Sequence, residues 1–241
     1  MKLSRPDIDN IRAALVVCRA AGIESVVITD NKVRGTTPTT KVSIISDVPL
    51  SFDSKLVIGI GRVDDFASRL ALFPTDIAIE GKENDTGAVS LLTITGGRSR
   101  IQFRCTAERL IKYPKANNDE AVAYVKASKG EVQQLVRAIK TLGSETFVLA
   151  IGRDGIVRLE STSPTNETFA MELAEPVVFE SDPQGVVHTY EGGRVASTLD
   201  LAVREVDDVT LIVGEMGSLT FTAGGQTMVA IPDANQEDDD E

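Results

Sequence analysis

The sequence has no tryptophan, one histidine, two cysteines, and only three tyrosines and eight phenylalanines among 241 residues. Each scarcity excludes something. A single histidine, His188, leaves no set of imidazoles for a metal site or a catalytic triad, and its place in a strand-like segment marks it as structural or exposed. The two thiols, Cys18 and Cys105, sit among apolar residues. They read as small buried side chains in a reducing compartment, not as a disulfide or a nucleophile. No apolar run approaches the ~20 residues needed to cross a bilayer. Met1–Pro6 has no signal-peptide core, so a cytosolic protein without a membrane partner is expected, and the sequon Asn166-Glu167-Thr168 carries no weight. There is no Walker loop. Gly59-Ile60-Gly61 runs on to Asp64 where a dinucleotide fingerprint needs glycine, and reads as a strand end followed by a helix start. No pocket-like cluster of titratable residues stands out. No catalytic residue, cofactor or metal ligand is therefore assigned, and the expectation is a protein that is not an enzyme. The terminal Asp238-Asp239-Asp240-Glu241 reads as a disordered solubilising tail, not a cation site.

What is present is ordinary in amount and unusual in arrangement. Apolar residues make up 42% and charged residues 25% of the chain, enough for a globular core. An internal repeat runs through it. Gly22-Ile23-Glu24-Ser25-Val26-Val27-Ile28 parallels Gly143-Ser144-Glu145-Thr146-Phe147-Val148-Leu149. Val33-Arg34 parallels Val157-Arg158, and Gly61-Arg62-Val63 parallels Gly193-Arg194-Val195, in the same order. Helical spacing appears at Ile8, Ile11, Leu15 and Cys18, and again at Val132, Leu135, Val136, Ile139 and Leu142. Ser128 with Glu131 spells a capping box, and Gly22 and Gly143 supply left-handed helix ends. Strands are expected at 25–29, 40–46, 55–60, 89–95 and 99–105. In the second half they are expected at 146–151, 155–161, 167–173, 185–191, 207–213, 217–223 and 226–231, with short second helices at 62–73 and 194–202. The fold class is thus α+β, two similar domains of two helices packed on antiparallel sheet. The domains are expected at 1–111 and 122–232, with a polar connector at 112–121 and the acidic tail at 233–241.

The net charge of −11 argues against a nucleic-acid partner if it is taken as a sum. Its distribution argues otherwise. In the four helix windows 4–21, 62–73, 128–142 and 192–201 the cations exceed the carboxylates by three, which leaves −14 for the rest of the chain. Arg5, Arg12 and Arg19 repeat every seven residues, as do Arg62 and Arg69. At 100° per residue these cations flank the apolar stripe at roughly 70–120° from its centre. Two readings stay open: ordinary solvated helix faces, or helices that together present a local electropositive surface on an acidic protein.

With those residues in hand, the chain resembles the DNA sliding clamps, nearest to those of T-even-type bacteriophages and more distantly to proliferating cell nuclear antigen. The resemblance is carried by Met1-Lys2-Leu3-Ser4 before the first helix, by Gly35-Thr36-Thr37 with Ile45-Ser46-Asp47-Val48, by Lys126-Ala127 with Val132-Gln133-Gln134-Leu135-Val136-Arg137, and by Val229-Ala230-Ile231-Pro232 before the acidic tail. It implies a ring-forming homotrimer, with helices inward and sheets outward, that encircles double-stranded DNA without sequence preference. Such a ring tethers a DNA polymerase for processive replication, is opened by a clamp loader, and in the phages also activates late transcription. Under this resemblance Arg5, Arg12, Arg19, Arg62, Arg69, Lys129, Arg137, Lys140 and Arg194 would face DNA. Val42, Ile44, Tyr113, Pro114, Val229, Ala230, Ile231 and Pro232 would line a pocket for partner peptides. Leu110, Ile111, Val178 and Phe179 would form the subunit interface, through edge strands near Thr106–Ile111 and Val177–Ser181. A phage protein of this kind would work in the host bacterial cytoplasm. Other readings are a virion structural or assembly protein of duplicated β-rich domains, an enzyme with a site spread over loops, and a clamp-like protein that binds partners but not DNA. The first does not account for cations gathered on paired helices.

Overall fold

The computed structural model describes residues 2–29, 31–48, 57–85, 87–115, 119–180, 185–223 and 226–232. The expected acidic tail, residues 116–118 of the expected connector, the start of the strand expected at 55–60 and Ser181 lie outside them. The chain forms two compact units. One comprises Met1–Thr39, Ser43–Ala116 and Gly224–Thr227, and the other Thr40–Val42, Asn117–Ala223 and Met228–Glu241.

The first unit runs β1 (Lys2–Leu3), α1 (Arg5–Ala20), β2 (Val26–Thr29), β3 (Lys32–Thr36), β4 (Val42–Asp47), β5 (Ile58–Ile60), α2 (Val63–Leu70), β6 (Ile77–Glu83), β7 (Val89–Gly96) and β8 (Ser99–Arg104). Two antiparallel arrays result, in the orders β1-β6-β7-β8 and β4-β3-β2-β5. Helix α1 starts where Ser4 and Asp7 exchange side-chain and backbone hydrogen bonds, a capping box with Pro6 in the first turn. Two orphan amide donors are thereby satisfied. The helix buries Ile8, Ile11, Leu15 and Cys18 and stops at Gly22, whose φ is 73°. Phe66 of α2 packs on Phe103 of β8 with ring centroids 5.1 Å apart.

The second unit runs β9 (Ala121–Ser128), α3 (Lys129–Leu142), β10 (Thr146–Ile151), β11 (Val157–Thr162), β12 (Thr168–Glu172), β13 (Val178–Phe179), β14 (Val186–Glu191), α4 (Gly192–Glu205), β15 (Asp208–Gly214), β16 (Leu219–Ala223) and β17 (Gln226–Ala230). Its arrays follow the orders β13-β9-β15-β16-β17 and β12-β11-β10-β14. With β13 set aside, this is the connectivity of the first unit repeated. Both units interrupt the strand series at the same points with a helix, and in both the strand after the first helix lies inside its array. The Ser128–Glu131 capping box forms as expected, and Gly143 takes φ 61° at the end of α3. Phe147 and Tyr190 anchor this core at 5.4 Å, and the buried Tyr190 hydroxyl donates to the Gly217 carbonyl at 2.7 Å.

Several expectations need correction. Helix α2 ends at Leu70 and α4 extends to Glu205. Strands β1, β3, β6 and β9 have no counterpart in the sequence reading. Strand β6 is polar beyond Ile79 and is held by its ladder with β7. Strand β9 buries Ala123, Val125 and Ala127, whose small side chains give a weak periodic signal. Cys105 is only half-buried. Thr106–Ile111 is not a strand. The Thr106 amide donates to the Gly59 carbonyl, and the chain then turns through a 3-10 helix at Glu108–Leu110. A Cβ on Gly59 would lie 2.1 Å from the Thr106 carbonyl oxygen, so this close crossing requires glycine.

Candidate nucleic-acid interface

In each unit the two helices lie side by side and carry most of the cations singled out from the sequence. In the first, Arg5, Arg12 and Arg19 project from α1, Arg69 projects from α2, and Arg62 sits at its N-terminus. Arg19 and Arg62 are the most exposed of the five, while Arg5, Arg12 and Arg69 are about one-third exposed. Arg5 and Arg69 are also tied to the fold. Arg5 Nη1 donates to the Phe73 carbonyl at 2.7 Å. The Arg69 guanidinium lies over the Phe103 ring, 5.2 Å from its centre, a cation–π contact that draws it toward the core.

In the second unit Lys129, Arg137 and Lys140 lie on α3 and Arg194 on α4. Arg137 and Lys140 are exposed. Arg194 is held at 2.6 Å by Glu191. Lys129 and Arg137 form no ion pair with the described residues. The sequence reading missed Arg204, an exposed cation on the last turn of α4. Its i,i+4 spacing from Asp200 was the available signal, hidden because the helix was expected to end at 202.

Carboxylates accompany these cations closely. Asp9 contacts Arg5 at 2.9 Å and Arg12 at 3.7 Å. Asp65 contacts Arg62 at 3.0 Å and Arg69 at 3.5 Å. Asp200 contacts Arg204 at 3.2 Å and Lys140 at 3.7 Å. Arg19 reaches from α1 to Asp64 of α2 at 3.2 Å. Asp7, an acid of the same window, is buried in the α1 cap.

The residues assigned to a partner pocket divide by exposure. Val42, Ile44, Val229 and Ala230 are buried. Tyr113, Pro114 and Pro232 are partly exposed, and Ile231 is 45% exposed. The Tyr113 hydroxyl donates to Glu108. That bond, with some burial and the Glu108 charge, raises the phenol above its usual range. Of the interface residues, Leu110 is 73% and Val178 65% exposed, Ile111 is buried, and Phe179 is half-buried. Val178 and Phe179 already pair with Tyr124 and Ala123 of β9. Among the described strands, the open array edges include the outer sides of β8 and β12.

Burial pushes the Cys18 thiol up to about 12 and the Cys105 thiol up to about 11, so both are protonated and poor nucleophiles at neutral pH. No group of three or more His, Cys, Asp or Glu residues able to hold a metal occurs among the described residues. No described helix is long and apolar enough to cross a membrane.

The architecture is the α+β fold of the DNA clamps, four helices on antiparallel sheets built as a duplicated unit. Among solved structures, the chain superposes on a subunit of the PCNA2–PCNA3 complex from Sulfolobus tokodaii with a TM-score of 0.63 and 15% identity, over 96% of this chain and 99% of that one. It superposes on the proliferating cellular nuclear antigen of Entamoeba histolytica with a TM-score of 0.64 and 11% identity, over 97% and 98%. No protein-family profile matches the sequence, and no curated protein matches it at the sequence level. The likeness is therefore one of fold.

Proposed function

We propose that this chain is a subunit of a DNA sliding clamp. Three copies close a ring around duplex DNA and tether a replicative DNA polymerase, and the protein is a non-enzymatic processivity factor placed on DNA by a clamp loader. The observation that carries the reading is the pairing of exposed cations with the two helices of each unit, on a clamp fold whose remaining surface is acidic. Long flexible side chains facing phosphates give sequence-independent, salt-sensitive attraction. An acidic exterior discourages binding anywhere else.

The resemblance to the T-even-type phage clamps extends the proposal to viral replication in a bacterial host and to activation of late transcription. We place partner-peptide docking at Ile231 and Pro232, accessible members of the assigned set just after β17. We place the ring seam on β8 and β12, with Leu110 and Val178 as flanking apolar contacts. Strand β8 carries exposed Arg100 and Arg104, and β12 is bounded by exposed Glu167 and by Glu172, which Arg158 of β11 already pairs at 2.8 Å, so Glu167 is the acid left to meet the basic edge, and each edge has backbone groups free to pair. On this reading the chain divides at 1–111, 112–121 and 122–232.

The test is charge reversal at Arg12 and Arg137 together. The R12E/R137E protein should keep its fold and its ring and lose processive synthesis. Unchanged processivity would remove the DNA-encircling role and leave a clamp-like protein that binds partners only.

A further inference from the structure

Most of the cations on the helices are not free. Three carboxylates are each shared between two of them. Asp9 sits between Arg5 and Arg12, four residues after one and three before the other. Asp65 sits between Arg62 and Arg69, three after one and four before the other. Asp200 sits between Arg204 on its own helix and Lys140 on α3. The seven-residue cation repeats of α1 and α2 thus each enclose an acid within reach of both cations. The device recurs in both units.

These pairs add little to stability. Asp9 and Asp65 are about half exposed and Asp200 about one-third. Such surface ion pairs are worth about 0–1 kcal/mol, because water screens them and ordering long side chains costs entropy. Their consequence is electrostatic. Each carboxylate offsets one of the two positive charges beside it, and Asp9 and Asp200 also accept hydrogen bonds from Arg5 and Arg204, donors that would otherwise be open to an incoming anion.

We infer that Asp9, Asp65 and Asp200 are displaceable counter-charges that compete with DNA phosphates for Arg5, Arg12, Arg62, Arg69, Lys140 and Arg204. They keep the hold on the duplex weak and exchangeable. This rests on the sliding-clamp reading and adds a residue-level account of how such a protein holds DNA without stopping on it. A phosphate approaching Arg5 and Arg12 meets one donor bonded to Asp9, that of Arg5, and a second cation, Arg12, 3.7 Å from the same carboxylate, and must take that carboxylate's place. When the phosphate leaves, the carboxylate returns and the guanidinium groups are not left bare. Lys129 and Arg137 of α3, without ion pairs among the described residues, make the first contact.

The experiment measures affinity for a short linear duplex by fluorescence anisotropy across a salt titration, with the full-length protein. The D9N/D65N/D200N variant is compared with wild type, and each single substitution is measured beside it. The control is E80Q/E83Q/E160Q, which removes the same amount of charge from exposed strand residues. Each phosphate contact steepens the dependence of log K on log salt by about 0.9. The helix variant should therefore bind on the order of tenfold tighter, with a slope steeper by about 2 to 3, and the control should stay near wild type. Equal gains in the two triple variants would mean that total charge alone matters and would overturn the inference. So would a helix variant no tighter than wild type. If wild type, both triple variants and R12E/R137E all fail to bind duplex at low salt, the sliding-clamp reading falls and this inference falls with it.

Discussion

Tyr190, His188 and Gly217 meet in a tight contact of the second unit. The His188 ring lies against the Gly217 backbone so closely that a Cβ there would come within 2.6 Å of the imidazole, and Gly217 also has φ +85°. Replacing Gly217 with Ala should therefore destabilise the unit by roughly 1–3 kcal/mol, read as a lower midpoint in urea unfolding. Burial lowers the His188 pKa below its ordinary value of 6.5, while the Asp119 charge acts in the opposite direction. The Asp119 carboxylate is itself bound by the Met216 and Ser218 amides. A base whose folded pKa is depressed stabilises the fold fully above its unfolded value, and that contribution is lost as pH falls from 6.5 through the lowered folded value. The melting temperature should accordingly fall over this window in wild type and fall less in H188N. An equal fall in both would remove His188 from the account. The sequence marked His188 as structural or exposed on a strand, and it lies half-buried on β14. Its partner Gly217 was not legible, because the two are 29 residues apart and meet only through the β15–β16 turn.

At the scale of elements, the Ser128–Glu131 cap joins two segments. One Glu131 oxygen accepts from the Ser128 amide at 2.8 Å, and the other accepts from the Ala174 amide at 2.7 Å. Partial burial works to raise the Glu131 pKa, but the hydrogen bonds from Ser128 and Ala174 outweigh it and the value is lowered. The stabilisation is present above the unfolded carboxylate value of 4.5 and is lost as pH drops through the lowered folded value. Replacing Ser128 with Ala should cost about 1 kcal/mol, measured by chemical denaturation at neutral pH. No loss would mean the cap contributes nothing there. This cap was readable because both partners lie within four residues. The equivalent cap of α1 went unread because it uses Asp7 where the usual pattern has Glu or Gln. The lengths of α2 and α4 and the strands β3 and β6 depend on what packs or pairs with them, and a window of local sequence does not contain that information.

For the whole molecule the decisive quantity is mass in solution. Light scattering at several concentrations should give three times 25.8 kDa, and a monomer throughout would end the ring proposal. Reversing Arg100 and Arg104 to Glu should shift the assembly toward monomer if β8 meets the acidic β12 edge of a neighbouring copy. An unchanged mass would move the seam elsewhere. Substituting Ile231 with Asp should weaken polymerase binding in a pull-down without altering the mass. Retained binding would remove Ile231 from the docking site.

The sequence by itself determined what local rules can carry. The duplicated plan is written in matched segments, the start of α3 in its capping box, and the α+β class in alternating periods of 3.6 and 2. The placing of cations on helices is equally local. Tertiary structure alone decided which carboxylate each cation meets when it lies on another helix, as for Arg19 with Asp64 and Lys140 with Asp200. It also decided which strand edges stay open: Thr106–Ile111 turns away at Gly59, Val178–Phe179 is taken by β9, and the outer sides of β8 and β12 are left unpaired. The physical reason is range. Caps and periodicity act over one or two turns of chain, whereas ladder partners and ion pairs between helices are set by which surfaces the fold brings within about 4 Å of one another.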